Sequence, residues 1–191
     1  MFWWRILCDV WEALADLKQQ GKVRVIGHSI SKFEDTQQMA RDWASQRKID
    51  AIQVVYSLMN RESTSLIEDL GTQGIGIFAR ESLANGFLSG TITRQTQFES
   101  NNLNKRYSQE EIGERVDYVE ALSYLIRDDI STMPQAALRW VLDNANVSLV
   151  LSGAKNTGEL QDAINASTCS PFTEVEHQRA QDLHKKDYPA A

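Results

Sequence analysis

Four short runs of apolar, largely β-branched residues punctuate the chain: Val23–Gly27, Ala51–Tyr56, Ile75–Ala79 and Val147–Leu151. Runs of this length set between turn residues are the pattern of strands buried on both faces. The segments between them follow a longer period. Val10, Leu14 and Leu17, with Trp11 beside them, share one face of a helix over Asp9–Gln20, which Gly21 ends. Ser31, with Glu34 three residues later, reads as a capping box for a helix that turns Phe33, Met39, Ala40 and Trp43 inward. Leu66, Ile67 and Leu70 mark a short helix stopped by Gly71, and Val116–Ile126 marks another. Pro134, just after Ser131 and Thr132, opens a helix running to Asp143. Leu160 and Ile164 carry the next, and Thr173-Glu174-Val175-Glu176 forms a capping box for a last helix to about Lys186. Between Gly90 and Gln109 the chain is rich in Thr, Asn, Gln and Ser, and loops of that length are functional or disordered.

Alternation of strand and helix requires parallel pairing and right-handed crossovers. The expected fold is therefore α/β, with four βα units. Ligands collect at the carboxyl ends of parallel strands, so the strand exits are where chemistry is expected. The most marked exit follows Gly74-Ile75-Gly76-Ile77-Phe78-Ala79, where the character switches at Arg80 to small and polar residues and closes in Gly86-x-x-x-Gly90.

With 191 residues, 42% of them hydrophobic, the chain is long enough to bury one core, and a single domain over residues 1–191 is expected. A formal net charge of -6 argues against a nucleic-acid partner, which requires a clustered positive surface. Cys8 and Cys169 stand far apart and match no metal spacing; with three scattered histidines they give no zinc constellation and read as buried free thiols. The apolar start, Met1–Cys8, is too short for a signal sequence, and no run reaches the roughly 18 residues of a membrane span. A cytoplasmic protein is expected.

Five segments in register give the chain a resemblance. These are Gly21-Lys22-Val23-Arg24-Val25-Ile26-Gly27-His28-Ser29, Gln53-Val54-Val55-Tyr56-Ser57-Leu58-Met59-Asn60-Arg61, the Arg80–Gly90 loop, Ala136-Ala137-Leu138-Arg139-Trp140, and Gly153-Ala154 followed by Leu160. From about Val10 to Ala166 the chain resembles the C-terminal half of an aldo-keto reductase, with residues 1–8, including Trp3 and Trp4, outside the resemblance. That family folds as a (β/α)8 TIM-type barrel of about 250 residues, and this chain would supply strands five to eight. The implied cofactor is NADP (NADPH) and the implied substrate an aldehyde or ketone. Ser29 and Gln53 match positions that hydrogen-bond the nicotinamide carboxamide. Arg80 matches the group lying flat against the nicotinamide ring, which a guanidinium can do by stacking. Leu83 matches the loop whose backbone N–H groups face the pyrophosphate. Gly153, Lys155, Glu159 and Asp162 match the loop and helix that hold the adenosine end, where a helix N-terminus and a lysine suit a phosphate.

The match has departures. Ile30 stands in place of an amide, Ala163 in place of an adenine-contacting Asn, Thr91 in place of a Lys, and the acidic Glu159 in place of a neutral or basic residue. Simpler roles fit the same side chains. Gln53 suits a strand-end polar group bonding loop backbone, and Ser29 suits a turn or capping serine. Arg80 suits pairing with Glu81, Glu68 or Asp69, and Lys155 a solvated loop. Glu159 and Asp162 suit an exposed helix face, and His28 a structural histidine. The Tyr, Lys, Asp and His that the family uses to protonate the carbonyl come from its first four strands, so no catalytic residue is expected in this chain. Four βα units leave strand edges open, and a second copy or an N-terminal half-barrel is the expected partner. The expected function is cofactor binding within such a reductase. The alternatives are a non-catalytic dinucleotide-binding or oligomerising module, and an inert truncated product.

Overall fold

Four strands pair in parallel, the first of them only from the end of its apolar run onward, and the order of the strands in space is their order in the chain. The computed structural model describes residues 2–187, with side chains from 10 to 185. Strands β1 (Gly27–Ser29), β2 (Ala51–Val55), β3 (Gly76–Arg80) and β4 (Leu149–Val150) form one sheet in the order β1-β2-β3-β4. The register pairs Ser29 with Gln53, Gln53 with Phe78, and Phe78 with Leu149. Paired residues of parallel strands share a face. One face thus carries Ile52, Val54, Ile77 and Ala79, all within 1% of complete burial. The mid-sheet row of the other face, Ser29, Gln53, Phe78 and Leu149, is exposed or half-buried. The core lies on the first side, among helices α1 (Phe2–Gln19), α2 (Glu34–Arg47), α3 (Thr64–Gly71), α4 (Gln109–Ala121), α5 (Met133–Leu142), α6 (Thr157–Ala166) and α7 (Glu174–Asp187).

Several expected boundaries move, for local reasons. Helix α1 begins at Phe2 rather than Asp9, because nothing in the apolar start breaks the helix. Strand β1 is Gly27–Ser29 rather than Val23–Gly27. Continuing its register backwards would set Val23 opposite Arg47, which is still in α2, so the earlier residues have no strand to pair with. Ser29 consequently lies in the strand and not in its exit. Strand β4 shrinks to two residues because only Leu149 and Val150 have partners on β3. Helix α4 starts well before Val116, at Gln109, behind a Ser108–Glu111 capping box that periodicity alone does not show.

The Ser31–Glu34 box does not form. Phe33 is the cap of α2, without a side-chain bond, and the Ser31 hydroxyl instead pairs with Thr36 Oγ1 at 2.9 Å. Phe33 itself is 65% exposed, against the expectation that it turns inward. Thr173 and Glu176 do form their box, and Thr132 caps α5 with Pro134 just inside it. Cys169 is a buried free thiol bonded to the Asp129 and Asn165 carbonyls, while the side chains of Trp3, Trp4 and Cys8 lie outside the described ones.

Candidate functional site

The parallel ladder brings two polar side chains together at mid-sheet. Gln53 Nε2 donates to Ser29 Oγ at 3.2 Å, and the two residues face each other across β1 and β2. An amide and a hydroxyl so placed leave the Gln53 carbonyl oxygen as acceptor and the Ser29 hydroxyl hydrogen as donor toward the open face. That pairing of one donor with one acceptor suits a primary carboxamide. The Ile30 N–H donates to the Gln53 backbone carbonyl at 3.0 Å, so the ladder holds both residues in place.

Two residues beyond, Arg80 ends β3 opposite Val55. Its guanidinium pairs with Glu81 and donates from Nη2 to the Ile30 carbonyl at 3.2 Å. Its Nε is buried with no hydrogen-bond partner among the described residues. Arg80 is therefore anchored across the exits of β1 and β3, with one donor unused. Glu81, Ala84 and Asn85 follow with positive φ, and the chain turns sharply through Gly86. Leu83 sits in this loop, where its carbonyl accepts from Gly86 N at 2.9 Å and Leu88 N at 3.2 Å. The Ala84 N–H is also used, by the Glu81 carbonyl.

The β4 exit is different in kind. Every residue from Leu151 to Leu160 is exposed. Gly153 is not required for space, since a Cβ there would meet nothing within 4 Å. Asn156 caps α6, and the Glu159 carboxylate folds back to accept from Lys155 N at 2.8 Å and Asn156 Nδ2 at 3.1 Å. Asp162 points into the molecule, accepting from Thr132 Oγ1 at 2.6 Å and from Gln135 Nε2. It bridges α6 to α5. Of the eight residues singled out in the sequence, Ser29 and Gln53 meet directly and Arg80 and Leu83 lie at the next exit. Gly153, Lys155 and Glu159 form a separate group past β4. These residues fit an extended dinucleotide in part: the carboxamide pair suits it well, whereas Glu159 already occupies the α6 N-terminus that a phosphate would use.

His28, read from the sequence as a structural histidine, and several residues that sequence reasoning passed over close the neighbourhood. His28, on the helix side of β1, packs against Trp43 with ring centroids 4.6 Å apart, and burial lowers its pKa. It is structural. Arg61 lies under the β2 exit with its guanidinium 4.6 Å over the Trp140 ring, donating to the Leu58 carbonyl at 3.1 Å and the Ala180 carbonyl at 3.2 Å. Asn104 is buried and donates to the Asn85 carbonyl at 2.9 Å, tying the polar segment to the β3 exit loop. Tyr107 follows it, with Arg106 and Arg115 over its ring. No group of His, Cys, Asp and Glu among the described residues could hold a metal ion, and no helix there is long and apolar enough to cross a membrane.

Among curated relatives, the NADH-specific methylglyoxal reductase of Escherichia coli is 29% identical over 155 residues, covering 80% of this chain and 46% of the relative. The L-glyceraldehyde 3-phosphate reductase of the same organism is 28% identical, covering 86% of this chain and 50% of the relative. The chain thus spans about half the length of these relatives. Among solved structures, the glycerol dehydrogenase AKR11B4 of Gluconobacter oxydans superposes with a TM-score of 0.77 at 22% identity, over 93% of this chain and 54% of that one. Likeness at that identity concerns the fold. The family model described as the aldo/keto reductase family matches residues 2–185, Phe2–Cys8 included, and on that match the chain belongs to the aldo/keto reductase family.

Proposed function

We propose that this chain is the dinucleotide-binding portion of a nicotinamide-dependent carbonyl reductase. The observation that carries the reading is the Ser29–Gln53 pair, which offers one donor and one acceptor on the open face of the sheet. When bound, the dinucleotide supplies a hydride for an aldehyde or ketone. The residues of this chain hold and orient it. Ser29 and Gln53 would hold the carboxamide, the anchored Arg80 guanidinium the ring, and the Leu83 loop the pyrophosphate. Lys155, beside Gly153 on the exposed β4 exit, is the available cation for an adenosine phosphate, and it supports NADPH as the cofactor. Glu159 and Asp162 are the adjoining carboxylates of α6, where Glu159 closes the helix N-terminus and Asp162 holds α6 to α5. The groups that protonate the carbonyl belong to further βα units, contributed by an N-terminal half-barrel in a cytoplasmic protein.

Tryptophan fluorescence of the purified chain tests this. NADPH is expected to quench it saturably, and Gln53→Ala and Lys155→Ala are each expected to weaken binding about tenfold, the equivalent of about 1.4 kcal/mol. Binding that neither substitution alters would remove the site. Running NADH in parallel decides between the two cofactors: tighter NADH binding would overturn the NADPH assignment, the carboxamide pair being common to both. Alone, the chain is expected to show no NADPH oxidation with simple aldehydes. A second reading, a non-catalytic dinucleotide-binding or oligomerising module, is favoured by the half-buried mid-sheet row and by the outer edges of β1 and β4, which are unpaired among the described residues. Sedimentation of the chain as a stable dimer that binds NADPH would select it.

A further inference from the structure

Between the exits of β1, β2 and β3 lies a cavity of about 470 Å3. Of the groups assigned to the dinucleotide it includes Arg80 and, from the Leu83 loop, Glu81, Ala84 and Asn85, and it lies across β3 from the Gly153–Glu159 group. Its charges do not cancel evenly. Lys32 pairs with Glu62 at 3.1 Å, and Arg80 pairs with Glu81. The Glu111 carboxylate is engaged by the Ser108 N–H at 2.7 Å in the capping box of α4, with the Arg115 charge nearby. Arg106 and Arg115 both converge on Tyr107, their guanidinium carbons 4.8 and 4.0 Å from its ring centroid. Arg106 Nη2 donates to the Tyr107 hydroxyl at 2.8 Å, and Arg106 has no carboxylate partner among the described residues. His184 also lines the cavity and stays neutral, burial and the Arg61 charge holding its pKa down at about 4.

Tyr107 registers the resulting field. Burial alone would raise its pKa, but the Arg106 hydrogen bond and the Arg115 charge outweigh this and hold the phenol below its ordinary value. Two buried polar atoms on the same walls lack any partner among the described residues: Arg80 Nε, a donor, and Glu62 Oε2, an acceptor. Buried polar groups are ordinarily satisfied. Both atoms are closed to solvent, so what the cavity offers a ligand is the charge of Arg106 and Arg115, which suits an oxyanion.

We propose that this cavity is an anion subsite, taking the carboxylate or phosphate of a small carbonyl compound against Arg106 and Arg115. The carbonyl part of this assignment rests on the function proposed above; the anion part stands on the cavity itself. Isothermal titration of the full chain with inorganic phosphate, and separately with glycolate, tests it and tells which oxyanion is preferred. Saturable binding is expected, unchanged by saturating NADPH, and weakened at least tenfold in Arg106→Gln and in Arg115→Gln while near-ultraviolet circular dichroism and NADPH binding are retained. Absence of saturable binding of either anion would overturn the proposal, as would an affinity that both substitutions leave intact. Displacement of phosphate by NADPH would also overturn it, by giving the cluster to the pyrophosphate of the cofactor. Anion binding that depends on Arg106 in a chain that does not bind NADPH would uphold the subsite while removing the dinucleotide reading.

Discussion

A β-carbon added to Gly27 would stand 2.4 Å from the Ala51 carbonyl oxygen, inside any tolerable contact. Backbone, not a flexible side chain, is in the way, so β1 must separate from β2 to admit it. Gly27→Ala is therefore expected to cost about 2 kcal/mol in urea unfolding and, through Ser29, to weaken NADPH binding as well. Arg61 is the other position where one side chain carries several contacts. It is a desolvated cation held by the Trp140 ring and by carbonyls of the β2 exit and α7. Arg61→Met keeps much of the packing but loses these bonds, and a loss of about 3 kcal/mol is expected by the same measurement. The two residues differ in how openly the sequence shows them. Ser29 and Gln53 could be singled out because each stands in a recognisable segment, although Gln53 lies in the middle of β2 and not at the strand end expected for it. Arg61 stands in such a segment too, but its partners Tyr118, Trp140 and Ala180 are remote in the chain, and no local pattern announces them. Tyr107 was hidden for the same reason, since its significance comes from Arg115 on the next helix.

Helix ends show which local signals are decisive. Ser108 and Thr173 accept from the N–H groups three residues on, Glu111 N at 3.2 Å and Glu176 N at 3.3 Å. Ser31 does not cap α2. Alanine at Ser108 or Thr173 is expected to cost about 1 kcal/mol, and at Ser31 less than about 0.5 kcal/mol, in thermal unfolding. The motif was the same at Ser31 and at Thr173; the chain path into α2 removed it at the first. Helix α7 also brings a pH dependence. His184 has a folded pKa of about 4, lowered from 6.5 by burial and then by the Arg61 charge. Between those values the unfolded chain binds a proton that the folded chain refuses. Stability is therefore expected to fall as the pH drops from about 6.5 to about 4, and to change no further through this group below that. The imidazole is half-buried, so solvent screening limits the effect to about 1 kcal/mol. Urea unfolding at pH 7 and pH 4.5 should show the difference, and His184→Gln should reduce it.

Over the whole molecule, the four βα units were legible because short apolar runs between helical periods admit few other folds. The extent of pairing was not, since the outer strands are only as long as their single neighbours allow. β1 and β4 each lean on one strand, whereas β2 and β3 are bonded on both sides. Hydrogen exchange should therefore be slowest at Ile52, Val54, Ile77 and Ala79 and much faster at His28 and Val150. Uniform protection across the sheet would mean that something covers the edges in solution.

Spatial order that repeats chain order has a consequence for how the protein is made. As the polypeptide leaves the ribosome, each new strand meets a neighbour that has already emerged, and none must wait for a distant segment. At about 5–20 residues per second, the span from β1 to β2 is made within a few seconds, ample time for a local pair to search and close. A nascent chain arrested after α3 should already protect β2 against a protease pulse, and one arrested after α4 should protect β3 as well. Synthesis itself then sets the sequence of assembly, and the sheet is built outward from its first strand, one crossover at a time.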